Sequence, residues 1–298
     1  MIDVIIPAFN AHETVERALL SILNQTIKDE VKVYLVDDFS NKPYDDIISF
    51  FNGKLDITLI RLYENKGPGN ARNVGLDKSS NPYIIFLDAD DEIYNSFTFE
   101  HLVNSTNDYD FVFGGIYEEN KDGKYNYYME HEGCLHGKLY KRSIIDKYNI
   151  RFTDTSYSED NYFNQLYISL IDDGHYISEP AYIYNYSSKS LTKDKGEKIN
   201  YFYNYNMSLL IKKCEDLKVK DKKIIDIILS VLCYNYKEYI VCSCKKKYFI
   251  NNPKEMIISY FNKYKNKISD NKIKEVLFLY PFDNLEDISF KEYLNLLM

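Results

Sequence analysis

A chain of 298 residues with 45% hydrophobic and 16% aromatic content can bury a substantial core, as one large domain or two. No apolar run approaches the roughly 18 residues that a membrane span needs, and the chain opens on strand-like Ile2-Asp3-Val4-Ile5-Ile6 with no basic, then apolar, leader, so a cytoplasmic protein is expected. The cysteines Cys134, Cys214, Cys233, Cys242 and Cys244 are odd in number and form no C-x-x-C pair, which argues against a disulfide framework and a zinc site.

The net charge of −8 is unevenly spread. Residues 1–192 carry 17 Lys+Arg against 31 Asp+Glu, whereas residues 193–298 carry 20 Lys, no Arg and 14 acids. A domain boundary near 192 follows. The acidic half is a poor partner for nucleic acid, and it would hold an anionic substrate only with a metal ion in between.

In chain order, Ile2 to Ile6 predicts a strand, and Pro7-Ala8-Phe9-Asn10 a loop into a helix over 13–23 whose Val15, Leu19, Ile22 and Leu23 share one face. A second strand, 31–36, ends in Asp37-Asp38, and a third covers 56–62. Asn65 to Asn70 then turns into a helix starting near Ala71. Its glycines, Gly67 and Gly69, lack the G-x-x-x-x-G-K-[ST] spacing of a phosphate cradle, so they serve the turn. Arg72 sits in the first helical turn against the dipole, either as a substrate anchor or as the partner of Asp37 and Asp38. Tyr83-Ile84-Ile85-Phe86-Leu87 predicts a strand buried on both faces that ends in Asp88, Asp90 and Asp91.

Strands alternating with helices predict an α/β architecture with a mostly parallel, doubly wound sheet, and such sheets bind ligands beyond the carboxyl ends of their strands. Three neighbouring carboxylates repel one another unless a cation or hydrogen-bond donors compensate. A hard divalent ion, Mn²⁺ or Mg²⁺, suits them; an acidic turn capping the next helix is the plainer reading.

Five segments, Val4 to Asn10, Ser21 to Thr26, Val36 to Ser40, Asn65 to Leu76 and Phe86 to Asp91, together resemble family 2 glycosyltransferases of the GT-A fold. The likeness is strongest over about residues 1–115. It implies transfer of a sugar from a nucleoside diphosphate donor, usually a UDP-sugar, with inversion at the anomeric carbon. By this resemblance Phe9 stacks on the base, with Pro7 and Asn10 beside it, and Asp38, with Asp37 next to it, accepts a hydrogen bond from uracil. Gly67, Arg72 and Asn73 belong to the nucleotide pocket, which Arg72 helps to close. Asp88 and Ala89 meet the ribose side, and Asp90, with Asp88, holds the metal. Where many members carry Gly, this chain carries Phe39.

Further on, Tyr109 to Gly115 predicts a strand and Tyr117 to Glu132 a hairpin or mobile loop. Gly137 to Ser143, leading into a short helix, resembles a segment of capsule-type members in which a basic group faces the cleft; Lys138 and Arg142 are either such groups or solvated charges. Glu159-Asp160 resembles the family's E-D pair at a helix start. That position implies Asp160 as the base taking the acceptor proton and Glu159 as an orienting carboxylate, although an acidic first turn favoured by the helix dipole is the plainer reading. His175 reads as a packing or surface residue, the second metal ligand, often His, that some members of the family carry near residues 182–192 is absent from that stretch, and Lys189 with nearby hydroxyls is a candidate lid over the diphosphate.

Residues 193–298 read as helices, one opened by Pro253 and one stopped by Pro281, with apolar positions such as Ile199, Met207, Ile224, Val231, Met256, Val276 and Leu277. Cys242 and Cys244, two apart, do not share a helix face. The Lys-rich faces are read as solvated in preference to membrane-bound, and this region is the expected surface for any homo-oligomer. The resulting scheme is a GT-A domain over 1–192, whose 1–115 half binds the nucleotide sugar and whose 116–192 half binds the acceptor, followed by a helical domain over 193–298. The acceptor is a hydroxyl of a glycan, a lipid-linked chain or a protein. A sugar-1-phosphate nucleotidyltransferase would need a glycine-rich basic loop after the first strand, which Pro7 to Asn10 is not. A catalytically idle sugar-nucleotide-binding protein would keep the same motifs.

Overall fold

A computed structural model describes residues 1–107, 109–129, 133–187, 197–241, 253–269 and 271–274. The chain divides into two compact units, Met1–Lys193 and Asp194–Met298.

The first unit begins with β1 (Ile2–Ala8), α1 (Val15–Leu23), β2 (Val31–Asp37), α2 (Asp45–Phe51), β3 (Asp56–Arg61), α3 (Pro68–Lys78) and β4 (Tyr83–Phe86). These strands are parallel in the order β3-β2-β1-β4, and the apolar runs of β1, β2 and β4 are buried on both faces. β1 runs through Pro7, which lacks an N–H; β4 stops pairing at Phe86 opposite Ile5, so no β4 residue lies opposite Pro7. Val15, Leu19 and Ile22 are buried, as their spacing predicts, and Leu23 packs against the same core. α3 lies so close to β1 that a Cβ on Gly75 would stand 2.4 Å from Cγ2 of Ile5. Gly75→Ala should therefore lower stability by about 1–3 kcal/mol through overpacking, read as a lower urea midpoint; an unchanged midpoint would show that β1 and α3 can separate freely.

Next come β5 (Glu92–Ile93), α4 (Thr98–Asn104), β6 (Phe111–Glu119), β7 (Tyr125–Tyr128), β8 (Lys138–Lys141), α5 (Arg142–Tyr148), α6 (Glu159–Leu170) and β9 (Gly174–Tyr184). β8 inserts antiparallel between β4 and β6, β9 runs parallel to β6, and β5 adds antiparallel to β9. The α/β sheet is thus parallel in its first half and mixed beyond β4. The predicted hairpin forms between β6 and β7, while residues 130–132 of that stretch lie outside the described set. Residues 115 and 116, where the two halves were divided, both lie inside β6.

Lys138 of β8 and Arg142, which opens α5, are not solvated charges. Lys138 is buried and donates from Nζ to the Cys134 carbonyl at 2.9 Å. Arg142 donates from Nε to the Asn81 carbonyl at 3.0 Å and from its guanidinium to Ser79 Oγ, tying α5 to the end of α3.

The second unit contains α7 (Glu197–Asp216), α8 (Asp221–Val241) and α9 (Pro253–Tyr264), with Met207, Leu210, Ile224, Val231, Ile257 and Phe261 buried. Buried Asn204 and Asn235 exchange amide hydrogen bonds at 3.0 and 2.7 Å, a pairing that holds α7 and α8 in one register. Among the described residues, Cys134, Cys214 and Cys233 are buried and take part in no disulfide. No described helix is long and apolar enough to cross a membrane. The readings on Lys189, Cys242, Cys244, Val276, Leu277 and Pro281 lie outside the described residues.

Candidate active site

Because β2, β1 and β4 are neighbours and parallel, their carboxyl ends share one edge, and the segments following them converge there. Adjacent Asp37 and Asp38 point to different partners. Asp37 is buried, accepts the Ser40 N–H at 2.8 Å and pairs with Arg61 at 2.7 Å. Asp38 accepts the Lys66 and Gly67 N–H groups at 2.9 and 2.8 Å, fastening the turn before α3. Burial raises the Asp38 pKa, with the two N–H groups pulling against it. Gly67 adopts φ +88° and ψ 167°, a region essentially reserved for glycine.

Phe9 and Phe39 are 51% and 50% exposed, so both rings are available at this edge. Asn10 joins the two loops, donating its N–H to Ser40 Oγ at 2.9 Å and accepting the Asn41 N–H at 2.9 Å. Phe39 has φ +64°, the left-handed region, which glycine adopts without steric cost.

Arg72 is buried and forks. One nitrogen lies 2.7 Å from Asp88 and the other 3.0 Å from Glu159. It is therefore not the partner of Asp37 and Asp38; Arg61 pairs with Asp37, while Asp38 is satisfied by backbone N–H groups. Asn73, one residue on, exchanges hydrogen bonds with the backbone of Phe152 at 3.0 and 2.9 Å, so α3 braces the loop that leads into α6.

Asp88 also faces Nε2 of His136 at 3.3 Å. Burial would raise its pKa, but Arg72 and His136 outweigh burial and hold it well below the usual carboxylate range. Ala89 is buried. The Asp90 carbonyl accepts from the Arg17 guanidinium and from Asn185 Nδ2, while its carboxylate has no side-chain hydrogen-bond partner among the described residues. Burial, then Asp88, raises the Asp90 pKa. Asp91 is buried and accepts the Asn185 N–H and the Tyr182 hydroxyl, each at 2.8 Å.

His136 stacks on Tyr182 with centroids 4.5 Å apart. Asp88, Asp91 and His136 each offer a ligand atom, all within 4.8 Å of one another. These three groups offer carboxylate oxygens and an imidazole, a donor chemistry compatible with a divalent cation. Sequence reasoning did not single out His136, an isolated histidine with no partner at ligand spacing. His175 packs by stacking on Tyr109 at 4.5 Å.

Glu159 and Asp160 open α6, after Ser158 at φ 60°. Glu159 is buried, and burial together with Asp160 pushes its pKa up to about 7 against the pull of Arg72. Burial likewise raises the Asp160 pKa, again against Arg72. Lys138 and Asp37, both expected to meet the donor, are buried.

The architecture matches the crystal structure of residues 1–349 of Staphylococcus aureus TarS in complex with UDP-GlcNAc, with TM-score 0.70 and 17% identity, covering 91% of this chain and 82% of that one. It also matches the mannosyltransferase PcManGT of Pyrobaculum calidifontis in complex with GDP-Man and Mn2+, with TM-score 0.56 and 12% identity over 99% of this chain and 83% of that one. The fold and its carboxylate-lined edge define the class as GT-A glycosyltransferases. The chain belongs to glycosyl transferase family 2, whose sequence profile matches residues 3–174. Among curated relatives, the poly(ribitol-phosphate) beta-N-acetylglucosaminyltransferase TarP of Staphylococcus aureus is 29% identical over 236 residues, 69% of this chain and 70% of that protein. An uncharacterized glycosyltransferase of Haemophilus influenzae is 37% identical over 99 residues, 32% of this chain and 38% of its own length. The glycosyltransferase GlyA of Streptococcus pneumoniae is 26% identical over 228 residues, 66% of this chain and 32% of its own length. The chain thus spans about a third of the length of these last two relatives.

Proposed function

We propose that the protein is a metal-dependent, inverting transferase that moves a sugar from a UDP-sugar to a hydroxyl of a glycan, lipid-linked or protein acceptor. The observation that carries this reading is the Arg72 fork. One guanidinium joins Asp88 at the tip of β4 to Glu159 at the head of α6, so the donor-side carboxylates and Asp160 belong to one constellation.

In this reading Phe9 covers the base, with Pro7, Asn10, Asp38 and Gly67 shaping its pocket, and Asp88 with Ala89 lines the ribose side. Asp90 and Asp88 hold the cation, with His136 in reach. When bound, a divalent cation neutralises charge on the departing diphosphate. Asp160 takes the proton of the acceptor hydroxyl, and its burial makes it a stronger base than a solvated aspartate. Glu159, paired with Arg72, fixes the first turn of α6 and so the position of Asp160. The names attached to similar proteins, an N-acetylglucosaminyltransferase and a complex with UDP-GlcNAc, favour a UDP-linked donor.

A thermal-shift panel of UDP- and GDP-sugars with and without Mn²⁺ tests the reading. UDP-sugars plus Mn²⁺ should raise the melting temperature, by the equivalent of about 2.7 kcal/mol at a hundredfold excess over Kd, and chelation should abolish the shift. Stabilisation by GDP-sugars alone would overturn the choice of donor. Stabilisation by UDP-sugars without UDP release in the presence of acceptors would mark an idle binding protein.

A further inference from the structure

A wall of tyrosines stands beside this site, and no step proposed above uses it. Tyr94, just past β5, packs on Tyr117 of β6 with centroids 5.4 Å apart. Tyr117 in turn meets Tyr127 at 5.2 Å and Tyr125 at 6.4 Å on the paired strand β7. Tyr94, Tyr125 and Tyr127 keep 36%, 50% and 42% of their surface exposed. Contiguous exposed rings of this kind mark an interaction surface.

The wall is continuous with the strand edge. Tyr94 also lines a cavity of about 590 Å³, together with Glu13, Glu16, Arg17 and Glu92. Arg17 lies 3.3 Å from Glu92 and donates to the Asp90 carbonyl, so the cavity is bonded directly to the turn that carries the metal-site carboxylates. A ligand seated there would meet the wall at Tyr94 and the donor-side turn through Arg17 and Glu92.

The chemistry of this surface selects its occupant. Flat ring faces accept the C–H faces of sugar rings, while phenol hydroxyls and carboxylates bond sugar hydroxyls. Three carboxylates line the cavity against one guanidinium that is already paired with Glu92, a lining that repels phosphate. We propose that Tyr94, Tyr117, Tyr125 and Tyr127, with the cavity at Arg17 and Glu92, form the acceptor subsite for a neutral carbohydrate chain. This rests on the reading of the strand edge as the donor site. It separates this protein from its relative TarP, whose name specifies a polyol-phosphate acceptor.

The test presents the full chain, with UDP and Mn²⁺, to an array of neutral oligosaccharides including chitotetraose and cellotetraose, and to poly(ribitol phosphate), with UDP affinity measured separately by calorimetry. Wild type should be retained by neutral oligosaccharides. Tyr94→Ala and Tyr125→Ala should weaken that retention by about tenfold or more, with UDP affinity within about twofold of wild type. Tyr125→Phe, which keeps the ring face, should retain most of the binding. Alanine variants that bind neutral glycans like wild type overturn the proposal, as does wild-type binding to poly(ribitol phosphate) alone, or UDP binding with no neutral glycan retained. Tyrosine-dependent glycan binding without UDP binding would instead support the subsite and strike only the donor assignment.

Discussion

Replacing Asp160 by Asn is expected to reduce sugar transfer by roughly 10²–10⁴-fold, the range contributed by a positioned general base, while UDP affinity stays within about twofold. The amide preserves the size of the side chain, which sits at the head of α6, whereas the proposed nucleotide pocket lies at the ends of β1 and β2 and the turn before α3. The loss should therefore fall on kcat more than on donor binding. Burial raises the Asp160 pKa, so the acid limb of the wild-type rate profile should lie above the ordinary carboxylate range, and the Asn variant should lack that limb. Full turnover by this variant would remove Asp160 as the base.

Arg72→Ala should destabilise the fold by about 3–5 kcal/mol, because it strips the cation from two carboxylates that remain in place. Asp88 would be left beside Asp90 and Asp91, and Glu159 beside Asp160, with no fork between them. Arg72→Lys should recover only part of the loss, since a single ammonium cannot bridge both partners with the fork geometry. The pH dependence carries a definite sign. The Asp88 pKa is depressed in the folded state, so its contribution is present above the unfolded value and is lost as pH falls through the folded one. The gap between wild type and Arg72→Ala in urea midpoint should accordingly narrow in acid; a gap that widens there would show that the Arg72–Asp88 pair is not its source.

The parallel half of the sheet was readable because its strands are long apolar runs, buried on both faces, that end in carboxylates. β8 was not, because Lys138 and Lys141 bracket Leu139-Tyr140 and mimic a solvated segment; only the tertiary structure supplies the Cys134 carbonyl that accepts the Lys138 ammonium. The partner of Arg72 was hidden for a related reason. Asp37 and Asp38 lie 35 and 34 residues before Arg72, and the carboxylates that pair with it lie 16 and 87 residues after it, so distance along the chain does not pick the partners. His136 joins the site solely because β8, just beyond it, is inserted beside β4 and so carries it to Asp88. Spacing within one segment reveals which residues share a strand tip. It does not reveal which distant segment will close over them.

The insertion of β8 also bears on how the chain emerges during synthesis. Until residues 138–141 arrive, the flank of β4 that will pair with them is an open edge of Tyr83-Ile84-Ile85-Phe86, apolar and free of charge. Such an edge invites pairing with another nascent chain. A fragment ending at residue 115 would display it permanently and should precipitate, whereas one ending past α5 has its own strand to cover it.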